Sequence, residues 1–195
     1  MATINPQTIT GVWKGGIALD RHTLSSVHIG VNEFGHDVFD TTRSELGDLL
    51  YRLKYNGDQK AADEIIATAA AYVQAHRAKF TMIVPVPPSM PRKLQPVITI
   101  AAGIGAAIGL PVVDCVTPTR ATTQLKQVSD PDKRKELLDG LYAVDPALTK
   151  GQHILLFDDL YRSGATMNAI TSVLLEVGQA ASVNALTITR TRSNR

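Results

Sequence analysis

Two adjacent carboxylates, Asp158 and Asp159, stand directly behind four apolar residues, Ile154, Leu155, Leu156 and Phe157. A short run of small and hydroxyl-bearing residues follows, Ser163-Gly164-Ala165-Thr166. Side-by-side carboxylates are costly inside a core. At a strand end that opens on a cleft they serve as acceptors for a vicinal diol, or as ligands, direct or through water, of a hard cation. The next few residues suit an anion. Gly164 lets the backbone come close or take positive φ, Ser163 and Thr166 carry hydroxyls, and a helix start presents N–H groups and the positive end of a dipole. A diol beside a phosphate describes a ribose 5-phosphate.

The elements that must hold these groups are legible around them. The apolar run does not alternate, as expected of a parallel strand covered on both faces. Past the loop, Met167, Ile170, Val173, Leu174 and Val177 recur at spacings of three and four, which predicts a helix. Strand, acidic end, loop and helix start together put the chemistry just beyond the carboxyl end of a strand, where open α/β sheets bind their ligands.

Residues 153–166 resemble the phosphoribosyl-diphosphate-binding motif of the type I phosphoribosyltransferases: an apolar strand, two acids, then a hydroxyl- and glycine-rich loop ending in Thr. The resemblance implies that Asp158 and Asp159 bind the ribose hydroxyls and Mg²⁺, directly or through water. It implies that Tyr161, Arg162, Ser163, Gly164, Ala165 and Thr166 cradle the 5-phosphate. Arg162-Ser163 stands where many members have two small hydroxyl residues. Within that class the chain is similar to the ComF group of competence-associated proteins. The matching pieces are Leu53-Lys54-Tyr55-x-Gly57-Asp58, Val84-Pro85-Val86-Pro87, residues 120–127, Arg134 and the motif itself. It departs from that group at Lys93-Leu94-Gln95-Pro96, where an Arg-Gly-Phe-Asn run is usual, at Leu137, where Asn is usual, and in lacking the four-cysteine zinc element. The implied activity is a Mg²⁺-dependent phosphoribosyltransferase acting on phosphoribosyl diphosphate and an unidentified base or amine, as a homodimer. No side chain in the sequence stands out as a general base. The alternative is a non-catalytic ribose-phosphate sensor, or an accessory in DNA uptake or repair.

Composition bounds the rest. The 195 residues suffice for one α/β domain with a good core and a small appendage. Hydrophobic residues at 44% and charged residues at 19% mark a globular chain rather than a disordered one. A net charge of +2 gives no electrostatic case for a dedicated nucleic-acid binder. The single cysteine, Cys115, excludes an intramolecular disulfide and reads as a buried, inert thiol. No basic-then-apolar leader is present, so a cytoplasmic protein is expected. Residues 94–113 carry no charge but contain Pro96 and Pro111, and read as a buried helix, a turn and a strand rather than a membrane span.

In chain order, residues 12–19 and 23–31 predict two strands joined at Asp20-Arg21, with a short third over 34–39. Residues 1–41 thus form a β appendage, and residues 42–195 form the α/β domain. The appendage holds His22, His28 and His36, whose spacing fits no compact metal motif, so they read as solvated strand histidines. Helices follow at 42–53, capped by Thr42, and at 61–78. Lys54, just past the first of these, reads as a cation near a helix C-terminus. A strand is expected over 80–86. The proline loop behind it carries Ser89, Arg92 and Lys93, placed to hold a pyrophosphate. A helix over 95–108 and a strand over 111–116 come next. Its Gly103-x-Gly105-x-x-x-Gly109 pattern lies late in the helix and is no dinucleotide fingerprint. Residues 117–142 form a polar interlude with Arg120 and Lys126, a candidate lid bringing cations to a leaving pyrophosphate. Strands at 141–144 and 182–189 complete an open, mainly parallel sheet with helices on both faces.

Overall fold

The computed structural model describes residues 1–88, 95–120 and 137–191. Its elements are β1 (Gln7–Thr8), β2 (Gly15–Arg21), β3 (Thr23–Val31), β4 (Asp37–Arg43), α1 (Glu45–Asn56), α2 (Gln59–Gln74), β5 (Met82–Pro85), α3 (Pro96–Ile108), β6 (Val116–Pro118), β7 (Tyr142–Val144), α4 (Pro146–Thr149), β8 (His153–Tyr161), α5 (Ala165–Glu176) and β9 (Ser182–Arg190). The main sheet runs β1-β2-β9-β8-β5. β2, β9, β8 and β5 are mutually parallel, and β1 is an antiparallel edge. The fold is therefore the expected mainly parallel α/β sheet.

Period-two alternation divides the core between the two faces. Leu155 and Phe157 of β8, Leu19 of β2, Ile83 of β5 and Leu186 and Ile188 of β9 point to one side, where α1, α2 and α3 cover them. Ile154, Leu156, Met82, Val84, Val183 and Ala185 point to the other, against Met167, Ile170 and Leu174 of α5. β8 is buried on both faces because every residue from Ile154 to Phe157 is apolar.

The expected N-terminal appendage is divided by the structure. β2 lies inside the main sheet, paired to β9 from Gly15↔Asn184 to Arg21↔Arg190. Only β3 and β4 stand off as a two-stranded ribbon. Ile17, Ala18 and Leu19 are apolar on both sides, and such a stretch has to be covered twice. In the ribbon Val27, Ile29 and Phe39 are exposed. The third strand begins at Asp37 rather than 34, since the Asn32 side chain accepts the N–H groups of Phe34 and His36 and holds residues 32–36 in a turn.

Helix ends also shift. The cap of α1 is Ser44, whose Oγ accepts the Gly47 N–H at 3.0 Å and donates to the Arg21 carbonyl. Thr42 belongs to β4 instead. α2 starts at Gln59, because Asp58 caps it while taking a charged hydrogen bond from Arg52. Over 111–116 only Val112 bridges to Ile83, and the strand β6 begins at Val116. Pro85 is tolerated in β5 because Ile83, two residues earlier, directs its N–H to Pro111 on the side where pairing then ends. Gly103 of α3 has no room for a Cβ against Ile66 of α2, so it serves close helix packing. No helix among the described residues is long and apolar enough to cross a membrane.

Ser44 fastens the end of β2 to the start of α1, so its removal tests this joint. Ser44→Ala is expected to lower unfolding free energy by about 1–2 kcal/mol. Urea denaturation checks the value, and a change under about 0.3 kcal/mol would contradict the capping account.

Candidate functional site

The carboxyl ends of β2, β9, β8 and β5 share one edge of the sheet, and Asp158, Asp159 and residues 161–166 gather there. β8 extends through both acids to Tyr161, so Asp158 and Asp159 are strand residues rather than turn residues. Alternation sends them to opposite faces. Asp159 turns toward α1, where Lys54 Nζ meets its Oδ1 at 2.8 Å, with both side chains largely buried. Asp158 lies on the α5 side, in register with Thr187 of β9. Its Oδ1 accepts the Asp159 N–H at 2.8 Å. Burial, and then the adjacent Asp159 charge, push the Asp158 carboxyl up to about 8, against smaller opposing effects of that N–H and of Lys54.

The loop behind β8 has the anticipated shape. Gly164 sits at φ 75°, in the left-handed region. A Cβ there would come within 2.8 Å of the Tyr161 ring, so glycine is required twice over. Ala165 and Thr166 begin α5, which has no side-chain cap. The first-turn N–H groups of that helix are thus directed at the loop. Arg162 and Ser163 are exposed, and Ser163 Oγ accepts a long 3.5 Å contact from Ala165 N. Tyr161 differs from expectation: its hydroxyl donates to the Thr10 carbonyl at 3.1 Å, so its ring shapes the loop from beneath.

Ser89, Arg92, Lys93 and Lys126 lie outside the described residues. Arg120 lies within them, and its Nη2 donates to the Leu137 and Asp139 carbonyls at 3.1 and 2.8 Å. It clasps the flanks of residues 121–136 and does not point a free guanidinium at the acids.

Three residues of the site were not found from the sequence. Lys54 is more than a helix-end cation: it is the partner of Asp159. His22 was read as solvated. It is half-buried at the β2–β3 junction, with Nδ1 3.1 Å from Thr189 Oγ1. Burial, then Lys54 and Arg43, hold its pKa below the usual imidazole range, against a weaker pull from Asp159. Thr187 is fully buried, and among the described residues its hydroxyl has no hydrogen-bond partner. Alternation along β9 was the available signal for Thr187. Nothing local could have signalled His22. Cys115 is buried and its thiol is pushed up to about 11, as an inert thiol should be. His28 is exposed and pairs with Asp37.

No family model matches the chain. It is similar to the competence protein ComFC of Bacillus subtilis (strain 168), with 25% identity over 151 residues, or 77% of this chain and 62% of that protein. The chain thus spans less than two thirds of that relative's length. A solved structure, that of the allosteric regulatory enzyme of purine biosynthesis, overlaps it at a TM-score of 0.46 and 19% identity, over 65% of this chain and 25% of that one.

Two measurements probe the acids. The folded-state pKa of Asp158 lies above that of an unfolded carboxyl, so the folded chain holds a proton the unfolded chain releases. Stability should therefore fall as pH rises from about 4 through about 8. Asp158→Asn removes this dependence and should stabilise the protein at pH 8.5 by about 1–2 kcal/mol. Equal urea midpoints for parent and variant at that pH would refute it. Lys54→Met strands the Asp159 charge and should cost about 2–3 kcal/mol, with Asp159→Asn recovering much of the loss in the double variant.

Proposed function

We propose that the chain binds phosphoribosyl diphosphate at this edge and transfers its phosphoribosyl group to a nitrogenous base or amine, releasing pyrophosphate. The observation that carries the reading is the conjunction on one strand–loop–helix unit of two carboxylates, a left-handed Gly164 and an uncapped helix start. Similarity to ComFC supports it at the level of overall resemblance.

In this reading Asp158 and Asp159 accept hydrogen bonds from the ribose hydroxyls. Ser163, Thr166 and the first N–H groups of α5 hold the 5-phosphate. Ser89, Arg92 and Lys93 hold the pyrophosphate, and Lys126 meets the charge that develops on it. Arg120 acts one step removed, through its clasp on Leu137 and Asp139. The acceptor nitrogen forms a bond to C1 as the C1–oxygen bond to pyrophosphate breaks, and pyrophosphate leaves with the electron pair. The acceptor's proton departs to pyrophosphate or water.

The donor set fits Mg²⁺. Among the described residues no group of three His, Cys, Asp or Glu side chains forms an all-protein cage. One carboxylate, Asp158, beside a polyphosphate is a hard-oxygen arrangement this ion takes, since Asp159 faces α1 and is paired with Lys54. Asp158, held near a pKa of 8 by burial, gains most from a cation. Bound there, Mg²⁺ would neutralise charge on the pyrophosphate oxygens.

A second reading, binding without turnover, is favoured by one feature. Asp159 is already engaged by Lys54. The protein would then sense or carry a ribose phosphate, as an accessory in DNA uptake or repair. Calorimetry with phosphoribosyl diphosphate, with and without Mg²⁺, followed by pyrophosphate-release assays over purines, pyrimidines and amide donors, separates the two. Transfer requires Mg²⁺-dependent binding and release with at least one acceptor; binding with no release favours the second reading. The Asp158→Asn, Asp159→Asn double variant should lose at least about tenfold in affinity, ~1.4 kcal/mol. Undiminished binding would remove both acids from the site.

A further inference from the structure

We infer that the N-terminal segment, residues 8–14, is a working part of the phosphate loop: a strap whose contacts set the loop's conformation and tighten when a phosphate enters it. The inference rests on the site reading above and adds to it a partner from the far end of the chain.

The strap touches the loop unit on two sides. Beneath it, the Tyr161 hydroxyl donates to Thr10 O at 3.1 Å, and Trp13 meets the Tyr161 ring edge-on with centroids 6.3 Å apart. The same Tyr161 ring fills the space a Cβ at Gly164 would need. Any displacement of the ring therefore alters the room available to the one left-handed residue of the loop. Beside it, the Val12 N–H donates to Asn168 Oδ1 at 2.9 Å, in the first turn of α5. Gly11 is glycine by necessity, since a Cβ would strike Asn168 Oδ1 and the Trp13 ring. The strap is itself secured. Trp13 is buried, its indole N–H donates to Ile9 O at 3.1 Å, and Arg190 Nη1 donates to Thr8 O at 3.1 Å.

A phosphate loop binds well when its N–H groups already converge, because ordering them is then not charged against affinity. Thr10, Val12 and Trp13 supply that order from outside the loop. Coupling is reciprocal: an anion that favours the converged loop must strengthen the strap's contacts by the same free energy.

The test uses the full chain, with ribose 5-phosphate and pyrophosphate as separate probes in calorimetry. Gly11→Ala pushes the strap off Asn168 by bulk, and Asn168→Ala removes the acceptor. Each is expected to weaken ribose 5-phosphate about tenfold, ~1.4 kcal/mol, and to change pyrophosphate affinity less than about twofold, with far-ultraviolet circular dichroism unchanged. On the parent, hydrogen exchange at the Val12 amide should slow about tenfold when ribose 5-phosphate is added. Folded variants that bind ribose 5-phosphate like the parent, or that lose both probes equally, would overturn the inference. If the variants fail to fold, a Val12 amide indifferent to ligand in the parent overturns it alone. A parent that binds no ribose 5-phosphate sinks the site reading first, and the strap with it.

Discussion

A carboxylate taken out of water has to be answered by charge or by a proton, and the end of β8 brings two of them out of water at adjacent positions. The chain answers them differently. Asp159 receives an ammonium from α1, while Asp158, among the described residues, accepts a backbone N–H and keeps its proton to unusually high pH. Strand alternation forces this division, since neighbours on a strand cannot share a face. One acid is thereby compensated by an ammonium inside the protein, and the other by its proton.

Holding that asymmetry requires more than β8. Lys54 reaches its partner because α1 packs its Leu46, Leu49, Leu50 and Leu53 stripe onto the sheet. Ser44 ties the start of that helix to the end of β2. β2 in turn is fixed by parallel pairing to β9 along its seven residues, from Gly15 to Arg21. His22 follows at that junction, close enough to Lys54 and Asp159 for each to influence its titration. The end of β2 thus borders the candidate site.

What the sequence disclosed follows physical locality. The motif strand, its acids, Gly164 and the helix behind it are neighbours along the chain, and periodicity with turn chemistry was enough to align them. Helix existence was legible for the same reason, while caps moved by a few residues because Ser44 and Asp58 compete with other nearby cap formers. The failures are all long-range. The partner that covers β2, β9, lies some 160 residues further along the chain, and β3 finds its own partner next door in β4. The Lys54–Asp159 pair and the Thr10–Tyr161 bond join residues more than a hundred positions apart. Arg120 looked like a free cation because the carbonyls that engage it lie beyond a long polar segment.

β9 occupies the middle of the sheet, between β2 and β8, yet among the five strands it is the last to be synthesised. On a ribosome, β2 waits with one side unpaired while some 160 further residues are added, on the order of ten seconds or more. The nascent chain cannot close its sheet until β9 has emerged. Its vulnerable period, during which chaperones or misdirected edge pairing compete for β2, is set by topology rather than by the stability of the finished fold.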